Sequence, residues 1–309
     1  MTSRLGDRLV ILATTVIFCV ALVVLVREFA SVSPRDLLAH LGALPASRLL
    51  AAAGLTVASY GLLTGYDFLA LWYVGRPLPI RDVVYASFTS FAFSNSIGLQ
   101  LVSGGSMRYR IYSGFGLKGV EIGEVVVFCT FTYVLGIITV GGLIAVLNPA
   151  AVVSLLHLPQ WLIVTFGVVF IAASAAWLAV AALWRKPLRL GRYRLRPPSL
   201  ALALAQLALA CVDAVLAATV MYVLLPAGPA MTFWSFLDVY LVAATAATVS
   251  EVPSGLGVFE SIIAVMTAPA PKAAELGALV AYRMIYFIAP LALAMMLLVA
   301  REWRLWSGK

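Results

Sequence analysis

"LVSGGSMRYRIYSGFGLKGVEIGE" (Leu101 to Glu124) joins two long apolar runs and decides how the whole chain is interpreted. The first apolar run ends in two glycines, two arginines follow at once, and the next apolar run begins soon after. An ordinary loop between two helices would produce this pattern. A membrane helix that is broken at depth and holds an anion would also produce it, because glycine lets the backbone approach a ligand closely.

The composition identifies a membrane protein. Of the 309 residues, 63% are hydrophobic and only 11% are charged, and the mean hydropathy is +1.04. Soluble domains carry about 25% charged residues, and several runs here reach the ~20 apolar residues that cross a bilayer. We predict an all-α integral membrane protein with a single polytopic domain over 1–309. The first run, Leu9 to Val26, is longer than the apolar core of a signal peptide and predicts a retained first helix.

Basic residues predict the orientation. "RKPLRLGRYRLRPP" (185–198) is a short loop rich in arginine, and such loops mark the cytoplasmic side. We expect this loop to contact anionic membrane lipids, so the formal net charge of +8 requires no nucleic-acid partner. The same rule places both termini of the chain in the cytoplasm of a bacterial cell, with the protein in the inner membrane.

Under this orientation, two segments of the chain begin and end on the same side of the membrane. The uncharged turn at 148–160 lies outside, so 83–118 must start and finish on the cytoplasmic side. The segment 232–270 must start and finish outside. We therefore predict about six full transmembrane helices and two re-entrant hairpins that open to opposite faces.

The two halves share a pattern of charge and glycine. In each half a helix with one embedded aspartate, Asp67 or Asp213, precedes a glycine-rich break, "VSGGSMR" or "VPSGLGVFE". Matched glycine and proline interruptions are typical of inverted repeats in transporters. The sequence thus predicts two inverted halves, 1–150 and 151–309, with both breaks beside a polar cavity, because unpaired backbone does not survive in hydrocarbon.

Charged residues in apolar surroundings are the candidate site residues. A charge at mid-bilayer costs at least ~2.5–3.5 kcal/mol, so it normally faces a partner or a cavity. The arginines at 108 and 110 offer forked donors for phosphate, although they would serve equally as cytoplasmic anchors. Asp67 or Asp213 would alternatively form a structural ion pair with Arg283. The acidic and basic candidates in the apolar runs are Asp67, Asp213, Glu251, Glu260 and Arg283.

Enzyme signatures are lacking in the sequence. The two histidines, His40 and His157, form no HExxH motif, and neither a nucleotide-binding loop nor a GxSxG elbow occurs. We therefore expect no enzyme activity, metal or cofactor, with a membrane enzyme using carboxylates as a less favoured alternative. The aromatic residues near predicted helix ends are interpreted as an interfacial belt; they include Tyr60, Tyr66, Tyr73, Tyr85, Trp161, Trp177 and Trp184.

The two motifs together, "NSIGLQLVSGGSMRYRIYSGFGL" and "SEVPSGLGVFE", resemble the membrane region of lysylphosphatidylglycerol synthases (MprF-type proteins) and their standalone relatives of unknown function. The resemblance extends over nearly the whole chain and implies a lipid flippase. That family moves aminoacylated phosphatidylglycerol, which a cytosolic synthase domain makes; such a soluble domain is not expected in this chain. The matching residues are Gly104, Gly105, Arg108, Arg110, Glu251, Pro253, Gly255, Gly257 and Glu260.

We expect a lipid translocator that moves an aminoacylated or related phospholipid between leaflets. Arg108 and Arg110 would receive the phosphate. Glu251, Asp67 and Asp213 would meet a cationic head group or balance Arg283. The alternatives are a lipid-binding or assembly subunit for a membrane synthase, and transport of a small soluble ion or metabolite. The protein partners that we consider are a synthase and further copies of this chain.

Overall fold

The computed structural model describes residues 44–98, 100–156, 158–184, 188–190, 193–195, 197–225, 232–250, 252, 255–266 and 272–307. The predicted first helix, Leu9 to Val26, lies outside these ranges, as do the candidate residues Glu251 and Pro253.

Helices follow the apolar runs of the sequence. Five helical stretches in the described part of the chain are long and apolar enough to cross a membrane: α1, α4, α6, α7 and the stretch Gly277–Trp303. The elements are α1 (Ala46–Val74), α2 (Ile80–Ile97), α3 (Gln100–Gly114), α4 (Gly119–Leu147), α5 (Pro149–Leu156), α6 (Gln160–Leu183), β1 (Leu188–Leu190), β2 (Tyr193–Leu195), α7 (Leu200–Leu224), α8 (Phe233–Val249), α9 (Val258–Met266), α10 (Lys272–Tyr282) and α11 (Ala289–Ser307), with a π-helical turn at Arg283–Ile288 between the last two.

The ends of the helices follow local sequence signals. A proline immediately precedes α1, α2 and α6, and the left-handed Gly75 ends α1. Ser199 caps α7 by accepting a hydrogen bond from the Leu202 N–H. The basic loop contains the short antiparallel pair β1 and β2, with Leu188 opposite Leu195, so the all-α prediction holds for the apolar segments and not for this loop.

The segment 80–114 is a pair of short helices, α2 and α3, which we call the first hairpin. Its break lies at Gly98, where φ is +77°, and not at Gly104 and Gly105 as the sequence predicted. Those two glycines lie inside α3. A Cβ atom at Gly104 would lie 3.1 Å from Ser94 Oγ, so the missing side chain allows close packing of α3 on α2. Gly104 thus allows the two helices to pack closely, whereas Gly98 allows the chain to reverse direction between them.

The segment 233–266 contains α8 and α9, which we call the second hairpin. Here the predicted break is confirmed, because Gly255 and Gly257 both have positive φ, +61° and +80°. A Cβ atom at Gly255 would overlap with Ala247 Cβ on α8. The chain therefore turns back on α8 so tightly that a side chain at 255 is excluded both by its φ and by space.

Each hairpin is surrounded by its own apolar cluster. One cluster joins the first hairpin to α1, α4 and α11, and the other joins the second hairpin to α7 and α10. Helix α7 packs on both α1 and α4. Glycines permit these approaches: a Cβ atom at Gly65 would lie 3.0 Å from Leu209, and one at Gly136 would lie 2.6 Å from the Ala210 carbonyl oxygen.

The crossing of α4 and α7 is tested by Gly136→Ala. The new methyl group would meet the backbone of Ala210, and overpacking of this kind typically costs about 1–3 kcal/mol. We expect a lower midpoint of thermal unfolding in detergent micelles. The matched control is Gly123→Ala on the same helix, where a Cβ atom would meet nothing within 4 Å and alanine should be neutral or slightly stabilising. Equal midpoints for the two variants would contradict the close crossing.

Candidate functional site

A cavity of about 160 Å³ lies between the two hairpins. Both breaks contribute to its wall, through Gly98 from the first hairpin and Gly255 from the second. One water needs only about 10–15 Å³ of such space, so the cavity has room for a small polar group with several waters. Its charged lining residues are Arg108, Asp213, Glu260 and Arg283, which the sequence had singled out from separate apolar runs.

Arg108 forms a buried ion pair with Asp67. The guanidinium donates from Nε to Oδ1 at 2.9 Å and from Nη2 to Oδ2 at 2.8 Å, and the two side chains are 4% and 0% exposed. Tyr112 adds a hydrogen bond from its hydroxyl to Asp67 Oδ1 at 2.8 Å. The ring of Phe91 lies 4.6 Å from the guanidinium carbon, close enough for a cation–π contact. Asp67 is therefore the partner of Arg108, and the predicted alternative of a pair between Asp67 and Arg283 is wrong.

Asp213 lies on α7 with an incomplete set of partners. Its Oδ2 accepts a hydrogen bond from the Tyr66 hydroxyl at 2.9 Å. Its Oδ1 is buried and has no hydrogen-bond partner among the described residues. The side chain is only 7% exposed and lines the cavity. Because Tyr66 is adjacent to Asp67 in the sequence, one turn of α1 both carries Asp67 and binds Asp213.

Glu260 and Arg283 form the second charged pair at the cavity. Arg283 Nε donates to Glu260 Oε1 at 2.5 Å, and Nη2 of the same guanidinium forms an ion pair with Oε1. Glu260 also accepts a hydrogen bond from the Gly257 N–H through Oε2 at 2.8 Å, so this carboxylate caps the start of α9. The predicted alternative in which Asp213 pairs with Arg283 is not what the structure shows, since the carboxylate bound to Arg283 there is that of Glu260.

The π-helical turn contributes aromatic residues to the cavity wall. Tyr286 and Phe287 of the turn line the cavity, as does Tyr282 at the end of α10, and such turns are frequent at functional sites. The first half of the chain holds this turn, because the Tyr60 hydroxyl donates to the Tyr286 carbonyl at 3.2 Å. Ser59 Oγ lies 3.0 Å from the Tyr286 hydroxyl.

The tyrosines at 60 and 66 were predicted to belong to an interfacial belt, and that prediction is wrong. Both are buried, and both bind groups at or beside the cavity. The signal in the sequence was position, because both tyrosines lie well inside the apolar run at 49–74 and away from its ends.

Other predicted site residues lie away from the cavity. Arg110 points to another side of α3 and pairs with Glu302 of α11 at 2.8 Å, with its side chain 25% exposed; residues two apart on a helix do not share a face. Gly104, Gly105 and Gly257 do not line the cavity. Glu251 and Pro253 remain predictions outside the described ranges.

Long apolar helices around a charged and aromatic cavity define a polytopic membrane protein. No family model matches the chain. The chain is 35% identical over 269 residues to the uncharacterized protein slr0712 of Synechocystis, a match that covers 87% of this chain and 84% of the relative. It is 30% identical over 251 residues to the inner membrane protein YbhN of Escherichia coli, covering 80% and 78%. The chain therefore belongs to the same membrane protein family as YbhN.

The buried pair between Asp67 and Arg108 is tested by Asp67→Asn. The amide keeps the shape of the side chain but leaves the guanidinium uncompensated, which typically costs about 3–5 kcal/mol. We expect a large fall in the midpoint of thermal unfolding in detergent.

The matched control is Glu302→Gln, which breaks the Arg110 pair in the same way at a more exposed place. Such pairs contribute at most about 1 kcal/mol, so its midpoint should stay near that of the wild type. Equal losses for the two variants would show that the buried pair is not a main source of stability.

Proposed function

We propose that this protein is a lipid translocator, which moves a phospholipid between the leaflets of the bacterial inner membrane. The observation that carries the proposal is the cavity, which is bordered by the breaks of both hairpins. Its wall includes Arg108 of the buried ion pair, the partly buried pair of Glu260 and Arg283, and the carboxyl group of Asp213. Polar space of this kind inside apolar helices suits a polar head group, whose acyl chains remain in lipid.

The cavity wall has a basic residue for the phosphate of a phospholipid head group and an acidic residue for its cationic part. Asp67 binds two of the three guanidinium nitrogens of Arg108, and Arg108 lines the cavity. The third nitrogen, Nη1, would donate to a phosphate oxygen of the lipid. Arg110 is not assigned to the phosphate, because it pairs with Glu302. A cationic part of the head group would meet the acidic wall at Asp213. Aminoacylated phosphatidylglycerol, which the resemblance to lysylphosphatidylglycerol synthases implies, and zwitterionic phospholipids both carry this pair of charges.

The order of elements supports an alternating mechanism. In each half a long helix with one buried aspartate, α1 or α7, precedes a hairpin and then another long helix. We propose that the halves are inverted, that each hairpin is re-entrant and opens to one face, and that small movements of the hairpins expose the cavity to each leaflet in turn. In this orientation the termini and the basic loop face the cytoplasm, where anionic lipids and a partner synthase would be met.

Membrane location has independent support from the family. The relative YbhN is described as an inner membrane protein, and the long apolar helices of this chain agree with an inner-membrane location. Enzyme activity on a lipid is not part of the proposal.

Blocking the cavity should stop lipid transfer. Ala217 lines the cavity on α7, and an indole in place of its methyl group would occupy much of the space. We expect Ala217→Trp to slow the transfer of an acyl-chain-labelled phospholipid at least about tenfold in reconstituted liposomes, as read by quenching of the outer-leaflet label with dithionite.

The control is Ala208→Trp, which places the same indole on the exposed face of the same helix. Both variants are compared only if they unfold at similar temperatures. Equal transfer by the two would contradict passage through the cavity. Binding of labelled lipid without any transfer by the wild-type chain would favour the lipid-binding or assembly subunit instead.

A further inference from the structure

One carboxyl group at the cavity lacks a cationic partner in the part of the chain that the structure describes. The charge of Arg108 is matched by Asp67, and that of Arg283 by Glu260. Asp213 receives only the neutral hydroxyl of Tyr66 on one oxygen, while the other oxygen has no partner. A carboxylate that is buried without a cation is costly, so such a group takes up either a proton or a cationic ligand.

The surroundings of Asp213 suit an organic cation. Helix α7 packs on α1, α4, α6, α8 and α10. Aromatic rings attract ammonium groups through their faces, and tyrosine hydroxyls accept hydrogen bonds from them. The titratable and charged groups that line the cavity with Asp213 are Tyr66 from α1, Arg108 from α3, Cys129 and Tyr133 from α4, Tyr240 from α8, Glu260 from α9, Tyr282 from α10, and Arg283 and Tyr286 from the π-helical turn. Helix α6 carries no titratable side chain.

We propose that Asp213 exchanges a proton for the ammonium group of the transported lipid, so that the proton gradient drives transfer. This inference rests on the lipid translocator proposed above and adds its energy source. When the cavity is loaded, the lipid ammonium neutralises the carboxylate. When the lipid leaves, the carboxyl group takes a proton from the side that the cavity then faces, and it releases this proton to the other side when the next ammonium group arrives.

Proton and ammonium therefore occupy the same carboxyl group in turn. One proton moves in one direction for each ammonium lipid that moves in the other, and no bond in the lipid is made or broken. An inward proton gradient would drive the lipid to the outer leaflet. A lipid without an ammonium group, such as phosphatidylglycerol, cannot replace the proton and should not respond to the gradient.

The test uses the full chain in liposomes with a trace of acyl-chain-labelled phosphatidylethanolamine, a pH difference of one unit and the electrical potential clamped at zero. One-to-one exchange predicts about tenfold enrichment of the label in the leaflet that faces the acidic side, since one pH unit corresponds to a factor of ten. This result does not depend on the orientation in which the protein inserts. Labelled phosphatidylglycerol should show no enrichment.

Asp213→Asn keeps the shape and the acceptor for Tyr66 but cannot bind a proton, so the enrichment should be lost. The matched control is Asp238→Asn, because Asp238 is also a buried carboxyl group with an unpartnered oxygen and does not line the cavity. Its enrichment should equal that of the wild type. Persistence of the tenfold enrichment in Asp213→Asn, or its loss in Asp238→Asn, would overturn the assignment to Asp213.

A binding measurement on the wild type stands independently of the variants. Adding short-chain phosphatidylethanolamine to the purified protein in weak buffer should release protons, up to one for each lipid bound, and short-chain phosphatidylglycerol should release none. Absence of release at every pH between about 5 and 9 would overturn the exchange. Transfer that ignores the pH difference would refute proton coupling and leave the translocator standing, whereas absence of any transfer would refute both.

Discussion

The buried ion pair between Asp67 and Arg108 is the constraint on which the site depends. Because both side chains are almost completely enclosed, neither charge can be left alone without a large cost. The pair fixes the first hairpin against α1 and holds Arg108 in the cavity wall. Tyr112 and Phe91 complete the surroundings of the pair, so the position of the first hairpin is set by charge and hydrogen bonding as well as by apolar contact.

The same turn of α1 links the two halves of the molecule. Asp67 holds the first hairpin, and the neighbouring Tyr66 donates a hydrogen bond to Asp213 on α7. The π-helical turn is held in a similar way by Tyr60. The cavity thus lies between the two hairpins, and its walls are joined by a few polar contacts that a movement of either hairpin would have to exchange.

The sequence predicted the long helices well and the partners of the charges poorly. The apolar runs predict helices over 49–74, 125–147, 160–184 and 199–225, and α1, α4, α6 and α7 begin and end within six residues of these bounds. Length and hydropathy are enough to indicate which stretches cross a membrane. The break at Gly255 and Gly257 was also predicted correctly. Nothing in the glycine pattern distinguished Gly98 from Gly104, since one glycine permits a positive φ and the other permits close helix packing.

The ion pairs depend on which helix faces contact each other, and a single sequence does not contain that information. Asp67, Asp213 and Arg283 all occur in apolar runs, so any of the carboxylates was an equal candidate for the arginine. The structure assigns Glu260 to Arg283 and Arg108 to Asp67. Arg108 and Arg110 looked equivalent in the sequence, but they are separated by the turn of the helix, which places one in the cavity wall and the other beside Glu302.

The most direct measurement of the central claim is an experimental density map of the protein in discs of native bacterial lipid. We expect density for a lipid head group between Gly98 and Gly255, with its phosphate near Arg108 and its cationic part near Asp213. A cavity that is filled only by acyl chains, or that is closed by contact between the hairpins, would contradict passage of the head group through the cavity.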